Sequence, residues 1–279
     1  MNAEIKKLIA AAGHLNPIAP VGFKLLEVLN DQENDLRQVT GLVETDPAIV
    51  ANLLRAANSA YYALPREVDT VQRAVVYLGL HRVFEIVFMQ SLAGRLKKDC
   101  SAYRQSAQDI WRHAVCSAFL AREIGETVKY ANLGMLFTAA LVKDIGKIVL
   151  HQYLPGKIEL ILEKVAEQGI CFDEAEQQVL GISHPEIGAQ VAEKWDLPES
   201  IVEVIRHHHS VDDQANQAVS IVQISGYIIS MMGIGAGIDG MVYRIAPGAG
   251  KLLSDAELQK SMISFLQKKD SLYEMAGAF

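Results

Sequence analysis

Cysteine is scarce: Cys100, Cys116 and Cys171 are the only three in 279 residues. They are widely spaced and form no CxxC pair. That argues against a disulfide framework and against a thiolate zinc site, and it fits a reducing compartment. Basic clusters are also lacking. With a formal net charge of −7 and no run of Lys and Arg, the chain has little to neutralise phosphates, and nucleic acid is not an expected partner. The opening residues, Met1 to Lys7, contain no secretory h-region, so the expected location is cytoplasmic. Strand-like alternation and internal repeats are missing throughout. One stretch lacks charge altogether, from Asp213 to Asp239. It is long enough to span a bilayer, but Gln214, Asn216, Gln217, Ser220, Gln223, Ser225 and Ser230 interrupt it and no Lys or Arg flanks it. A buried core helix is expected there, not a membrane span.

What is present is apolar residues, 50% of the chain, spaced for helices. The spacing predicts an all-α protein with helices over about 4–12, 23–29, 36–43, 47–58, 71–78 and 82–96. A second series follows over about 106–126, 132–153, 158–168, 172–180, 184–195, 198–209, 217–232 and 255–268. Asp46-Pro47 is a clear start, an N-cap followed by proline at the first helical position. Pro65 and Gly79 are stops. The polar connection Lys97-Lys98-Asp99-Cys100-Ser101 divides the chain into an expected N-terminal helical subdomain, 1–100, and a second one, 101–279.

The end of the most apolar helix carries two charges, Lys143 and Asp144, and burying them requires partners. Four places offer these. Asp109 and His113 are four apart and share a helix face. They read either as a ligand pair or as a core histidine bonded to a carboxylate. His184 follows Ser183 in Ser183-His184-Pro185-Glu186, whose S-x-x-E pattern predicts a capping box. The last is the run His207-His208-His209. Neighbouring residues on a helix point about 100° apart, so His208 and His209 are not expected to share one ion. Lys147 reads as a solvated helix-end lysine. Spacing alone leaves a metal site and a polar plug in a helical core both open. The Gly-rich run Gly233 to Gly237 follows no strand and lacks the Lys-Ser/Thr of a phosphate loop.

Several motifs in order point further. Asp46-Pro47-Ala48 through Asn58-Ser59-Ala60-Tyr61-Tyr62 is followed by Gln72-Arg73-Ala74-Val75-Val76-Tyr77-Leu78-Gly79 and Trp111-Arg112-His113. Then come Glu176 through Gly181 to His184, Trp195-Asp196-Leu197-Pro198 and the terminal His pair. Over roughly residues 15–230 this resembles HDOD domains, a bacterial all-helical group related to HD-domain phosphohydrolases and HD-GYP cyclic-di-GMP phosphodiesterases. The resemblance implies an HD-domain-like multi-helix core. It implies a divalent metal (Fe, Mn, Zn or Mg) held by Asp109, His113, Asp144, His184, His208 and His209. If the chain is active, the resemblance implies Asp144 and Lys147 in catalysis, with Lys147 as a phosphate contact. Two positions depart from the pattern: Lys143 replaces a histidine, and an ammonium has no lone pair for a metal. Ser225 replaces an aspartate, and its hydroxyl is a poorer ligand for a hard cation. The GYP motif is absent. These losses imply a non-catalytic signalling module acting through other signalling proteins or a nucleotide or phosphate ligand. The alternatives are a metal-dependent phosphohydrolase with a reduced site, or a domain that binds an ion without turnover. The expected arrangement is a buried Lys143–Asp144 ion pair.

Overall fold

The computed structural model describes residues 24, 25 and 36–277, except 98, 152, 211–215 and 241; the helices expected over 4–12 and 23–29 lie outside this set, apart from residues 24 and 25. Among the described residues the chain is helical and has no strand. The one β feature is an isolated antiparallel bridge between Cys100 and Gln105. The chain divides into two compact units. One holds the described residues up to Arg95 together with those from Ile263 onward; the other runs from Leu96 to Met262.

The first unit contains α1 (Leu36–Glu44), α2 (Pro47–Ala57), α3 (Val71–Leu78) and most of α4 (Leu80–Leu96). Asp46 caps α2 as expected, its carboxylate accepting from the N–H groups of Ala48 and Ile49 at 2.9 and 3.3 Å. Asn58, the C-cap of α2, clamps the loop that follows. Its side chain accepts from Val68 N at 2.7 Å and donates to Val68 O at 2.8 Å. Gly79 ends α3 at φ +81°, a conformation open to glycine.

The second unit comprises α5 (Ala107–Thr127), α6 (Leu133–Val142), α7 (Ile145–Leu150), α8 (Ile158–Gln168), α9 (Phe172–Leu180), α10 (His184–Lys194), α11 (Glu199–His207), α12 (Gln217–Met231) and the start of α13. Helix α13 (Asp255–Gly277) is longer than expected because Leu272, Met275 and Ala276 are buried. Helices α5, α6 and α12 pack on one another, and α10 packs on α7 and α11. Every residue of α6 from Gly134 to Val142 is buried. The charge-free stretch forms α12, buried over Ala218–Gly226. No single described helix is long and apolar enough to cross a membrane.

One departure from expectation places the site. The helix expected over 132–153 is broken, and the break falls on Lys143 and Asp144. It redirects the chain so that α7 crosses α10 backbone to backbone. A Cβ on Gly146 would stand 1.9 Å from His184 O and 2.8 Å from Gly188 N. Only glycine at 146 permits this approach, and the approach brings Asp144 beside His184.

Candidate metal centre

Asp144 is buried at the α6–α7 break, with different neighbours on its two carboxylate oxygens. The Lys143 ammonium contacts Oδ2 and lies 3.3 Å from His113 Nε2. His113 Nδ1 is 3.1 Å from the Ile234 carbonyl. That oxygen can only accept, so Nδ1 carries the proton and the Nε2 lone pair faces Lys143. The lysine stem runs along α12 at Gly226, where a Cβ would stand 3.3 Å from Lys143 Cε. Burial draws the Lys143 ammonium below its ordinary pKa, against the pull of Asp144. Burial also lowers His113, to about 4, with Lys143 adding to the effect. Burial works to raise Asp144, but Lys143 and Lys147 outweigh it and hold the carboxyl well below its usual range.

Around Oδ1 the arrangement differs. His208 Nε2 and His184 Nε2 lie 3.6 and 3.9 Å from it. His184 Nδ1 donates to Glu176 Oε2 at 2.7 Å, which also accepts from the His184 backbone N–H at 2.8 Å. The other Glu176 oxygen accepts from the Tyr103 hydroxyl at 2.6 Å. His208 Nδ1 donates to the Ile205 carbonyl at 2.7 Å. Both imidazoles are therefore fixed with Nε2 lone pairs inward, and neither Nε2 has a hydrogen-bond partner. Carboxylate- or carbonyl-anchored histidines are the usual support of metal ligands. Ligand atoms of Asp144, His184, His208 and His209 all lie within 4.8 Å of one another. Buried, unpaired lone pairs are costly, about 1–3 kcal/mol each, and a divalent cation would satisfy them. Three imidazoles to one carboxylate suit Fe or Zn better than Mg.

Lys147 is not the solvated lysine that one reading predicted. It is buried, with Nζ 2.8 Å from Asp144 Oδ1 and 2.5 Å from Asp239 Oδ2. Burial disfavours its charge, but Asp144 and Asp239 more than compensate and raise its pKa. The 2.8 Å contact lacks hydrogen-bond alignment, so Oδ1 stays open to another donor or ion.

Other expected site residues are placed differently. Asp109 is not gathered into the cluster: it closes a capping box at the start of α5, its Oδ2 accepting from Ser106 N at 3.1 Å and Ser106 Oγ at 2.6 Å. Sharing a face with His113 did not bring it inward, because it lies in the first turn, where free N–H groups attract a carboxylate. Ser225 is buried and donates to Val222 O at 2.8 Å, satisfied within α12. Ser183 stands at the N-cap of α10 without a side-chain capping bond. His208 and His209 do converge, contrary to the helical-spacing argument, because α11 ends at His207 and both lie beyond it. Sequence reasoning missed Tyr103 and Asp239, for which no local signal exists. It quoted Glu176 only as part of a motif, eight residues before the histidine it anchors.

A profile of the HDOD domain matches residues 15–211. The chain belongs to the HDOD family. An uncharacterized protein of Treponema pallidum (strain Nichols) is 26% identical over 216 residues, covering 76% of this HDOD chain and 41% of the relative. The chain spans less than half the length of the curated relatives it matches. An HDOD domain protein of unknown function from Geobacter sulfurreducens shares the fold with a TM-score of 0.76 at 21% identity, covering 92% of each chain. A Marinobacter aquaeolei VT8 protein named provisionally for signal transduction has a TM-score of 0.68 at 22% identity, covering 99% of this chain and 66% of its own. His113, Asp144, His184, His208 and His209 fall inside the family match; Ser225 and Asp239 fall outside it.

Proposed function

We infer that this HDOD chain is a regulatory module that binds at most one divalent cation and does not turn over a phosphoester. One observation carries the reading: the Lys143 ammonium touches Asp144 Oδ2 and lies 3.3 Å from His113 Nε2, where a second ion would need both lone pairs. Asp144, His184, His208 and His209 would hold the remaining ion. A bound cation of this kind supplies Lewis acidity and a water of lowered pKa. Around it the chain's own groups fix the ligands: Glu176 orients His184, Ile205 O orients His208, and Asp239 draws Lys147 away from free solvent. With Lys147 committed to two carboxylates and Lys143 to Asp144, neither of these two lysines is left for a phosphate. That favours other signalling proteins as partners over a nucleotide or phosphate ligand. The provisional naming of the Marinobacter protein is in keeping with this. The three cysteines are free and buried, which fits the reducing cytoplasm expected for the chain.

A single-ion phosphohydrolase is the competing reading, and the intact histidine cluster favours it. Metal analysis of protein purified without chelator separates the two when combined with assays on bis(p-nitrophenyl) phosphate and cyclic dinucleotides. The expected result is up to one equivalent of cation and no turnover. A rise toward two equivalents is expected in Lys143→His. Turnover by the wild type that disappears in Asp144→Ala would overturn the regulatory reading.

A further inference from the structure

Beyond residue 211, where the family match ends, α12 turns a second face to an apolar cleft of about 250 Å³. Ile224, Tyr227, Ile228 and Met231 line one wall at helical spacing, and Ile245 and Leu253 stand among the residues of the other. Ile224, Ile228 and Leu253 are buried, whereas Met231 is 70% exposed and marks the rim. We propose that this cleft is an effector site for a small uncharged apolar molecule of one or two fused rings. The proposal goes beyond the reading of the metal centre and does not depend on whether an ion is bound there.

Three features fix the class of ligand. Among the described residues, none that lines the cleft bears a charge, so an ionised ligand would lose hydration without a partner. The volume lies just under the usual range of small-molecule pockets and is too small for a docked helix. Apolar cavities of roughly 150 Å³ already stay dry and take up benzene, so a larger apolar cleft offers poorly bonded water for displacement. A fourth feature makes it an effector site. The Tyr227 ring lies 5.4 Å from that of Tyr243, and Tyr243 lies 5.1 Å from the imidazole of His209. Gly226, next to Tyr227 in sequence, meets the stem of Lys143. A molecule seated on Tyr227 is thus one aromatic ring removed from the histidine cluster.

Indole is the probe, titrated into the full chain with methyl-labelled Ile and Met and labelled Tyr and His. Saturable shifts are expected at Ile224, Ile228 and Met231, with Tyr243 and His209 moving at the same concentrations. Indole-3-acetate, similar in shape but anionic, is expected to bind at least about tenfold more weakly. Met231→Trp, at an exposed position that leaves the fold intact, is expected to narrow the rim and weaken indole by a similar factor. Shifts that do not saturate, or that avoid α12, would overturn the site. Equal binding of the two probes would overturn the ligand class. Saturation of the methyls without movement of Tyr243 would overturn the effector role. Cleft signals that change with protein concentration alone, alongside a sedimenting dimer, would give the cleft to a second copy instead.

Discussion

On one side of Asp144 the protein supplies its own cation: the Lys143 ammonium touches Oδ2 and lies 3.3 Å from His113 Nε2. On the other side Lys147 Nζ stands 2.8 Å from Oδ1, yet two imidazole nitrogens, 3.6 and 3.9 Å from that oxygen, meet no hydrogen-bond donor. Both sides started from the same problem, inward lone pairs in a dry interior. On the first side Lys143 solves it internally, since an ammonium brings charge and three donors. On the second the anchoring groups, Glu176 and the Ile205 carbonyl, still hold the histidines as a metal would require. The two sides of one buried carboxylate are therefore balanced in different ways, one by an ammonium and the other by anchored imidazoles.

The comparison breaks most sharply in Asp144→Ala. Two buried ammonium groups, Lys143 and Lys147, lose their shared counter-charge. Removing one partner of a buried pair costs about 3–5 kcal/mol. Urea unfolding is expected to show a loss of that size together with loss of cation binding. A loss under about 1 kcal/mol would mean that the pair is solvated. Next comes Gly146→Ala, which pushes a methyl into the His184 carbonyl. Overpacking of this kind costs about 1–3 kcal/mol or more, and both sides of the site should suffer because the α7–α10 crossing holds them together. A variant as stable as the wild type would refute that crossing.

A third test uses pH. His113 and His208 are lowered from 6.5 to about 4, chiefly by burial. Between those values the unfolded chain binds more protons than the folded one, so stability rises with pH across the window. Metal-free protein should keep this stability above pH 6.5 and lose it progressively as pH falls toward 4. A flat urea midpoint from pH 7 to 4.5, measured with chelator present, would show that the two imidazoles are hydrated. The smallest effect is expected for Asp109→Ala. Loss of a capping carboxylate costs about 1 kcal/mol and should leave cation stoichiometry unchanged. A variant that loses its ion would restore Asp109 to the site.

Helix identity and order were legible because apolar spacing, the start at Asp46-Pro47 and the stop at Gly79 are local signals. The break at Lys143-Asp144 was not, since Gly134 to Val142 carries no breaker and the cause is the contact of Gly146 with α10, remote in sequence. The histidines were found by motif order. Asp109 was assigned to the wrong company because residues four apart share a face but not a depth. Asp239 was invisible: it arrives through a loop in which Gly235, at φ +58°, packs against the backbone of Asp109. Nothing near Asp239 in sequence announces a partner for Lys147.

The glycine crossing has one more consequence. With only main chain between Gly146 and Gly188, α7 and α10 have no side-chain layer to slide on. Whatever shifts Asp144 must carry His184 with it. The separation of the two backbones is set by the direct contact of Gly146 with His184 O and Gly188 N. Such a crossing is stiff, and an ion held by Asp144 and His184 would have to suit the spacing that it sets.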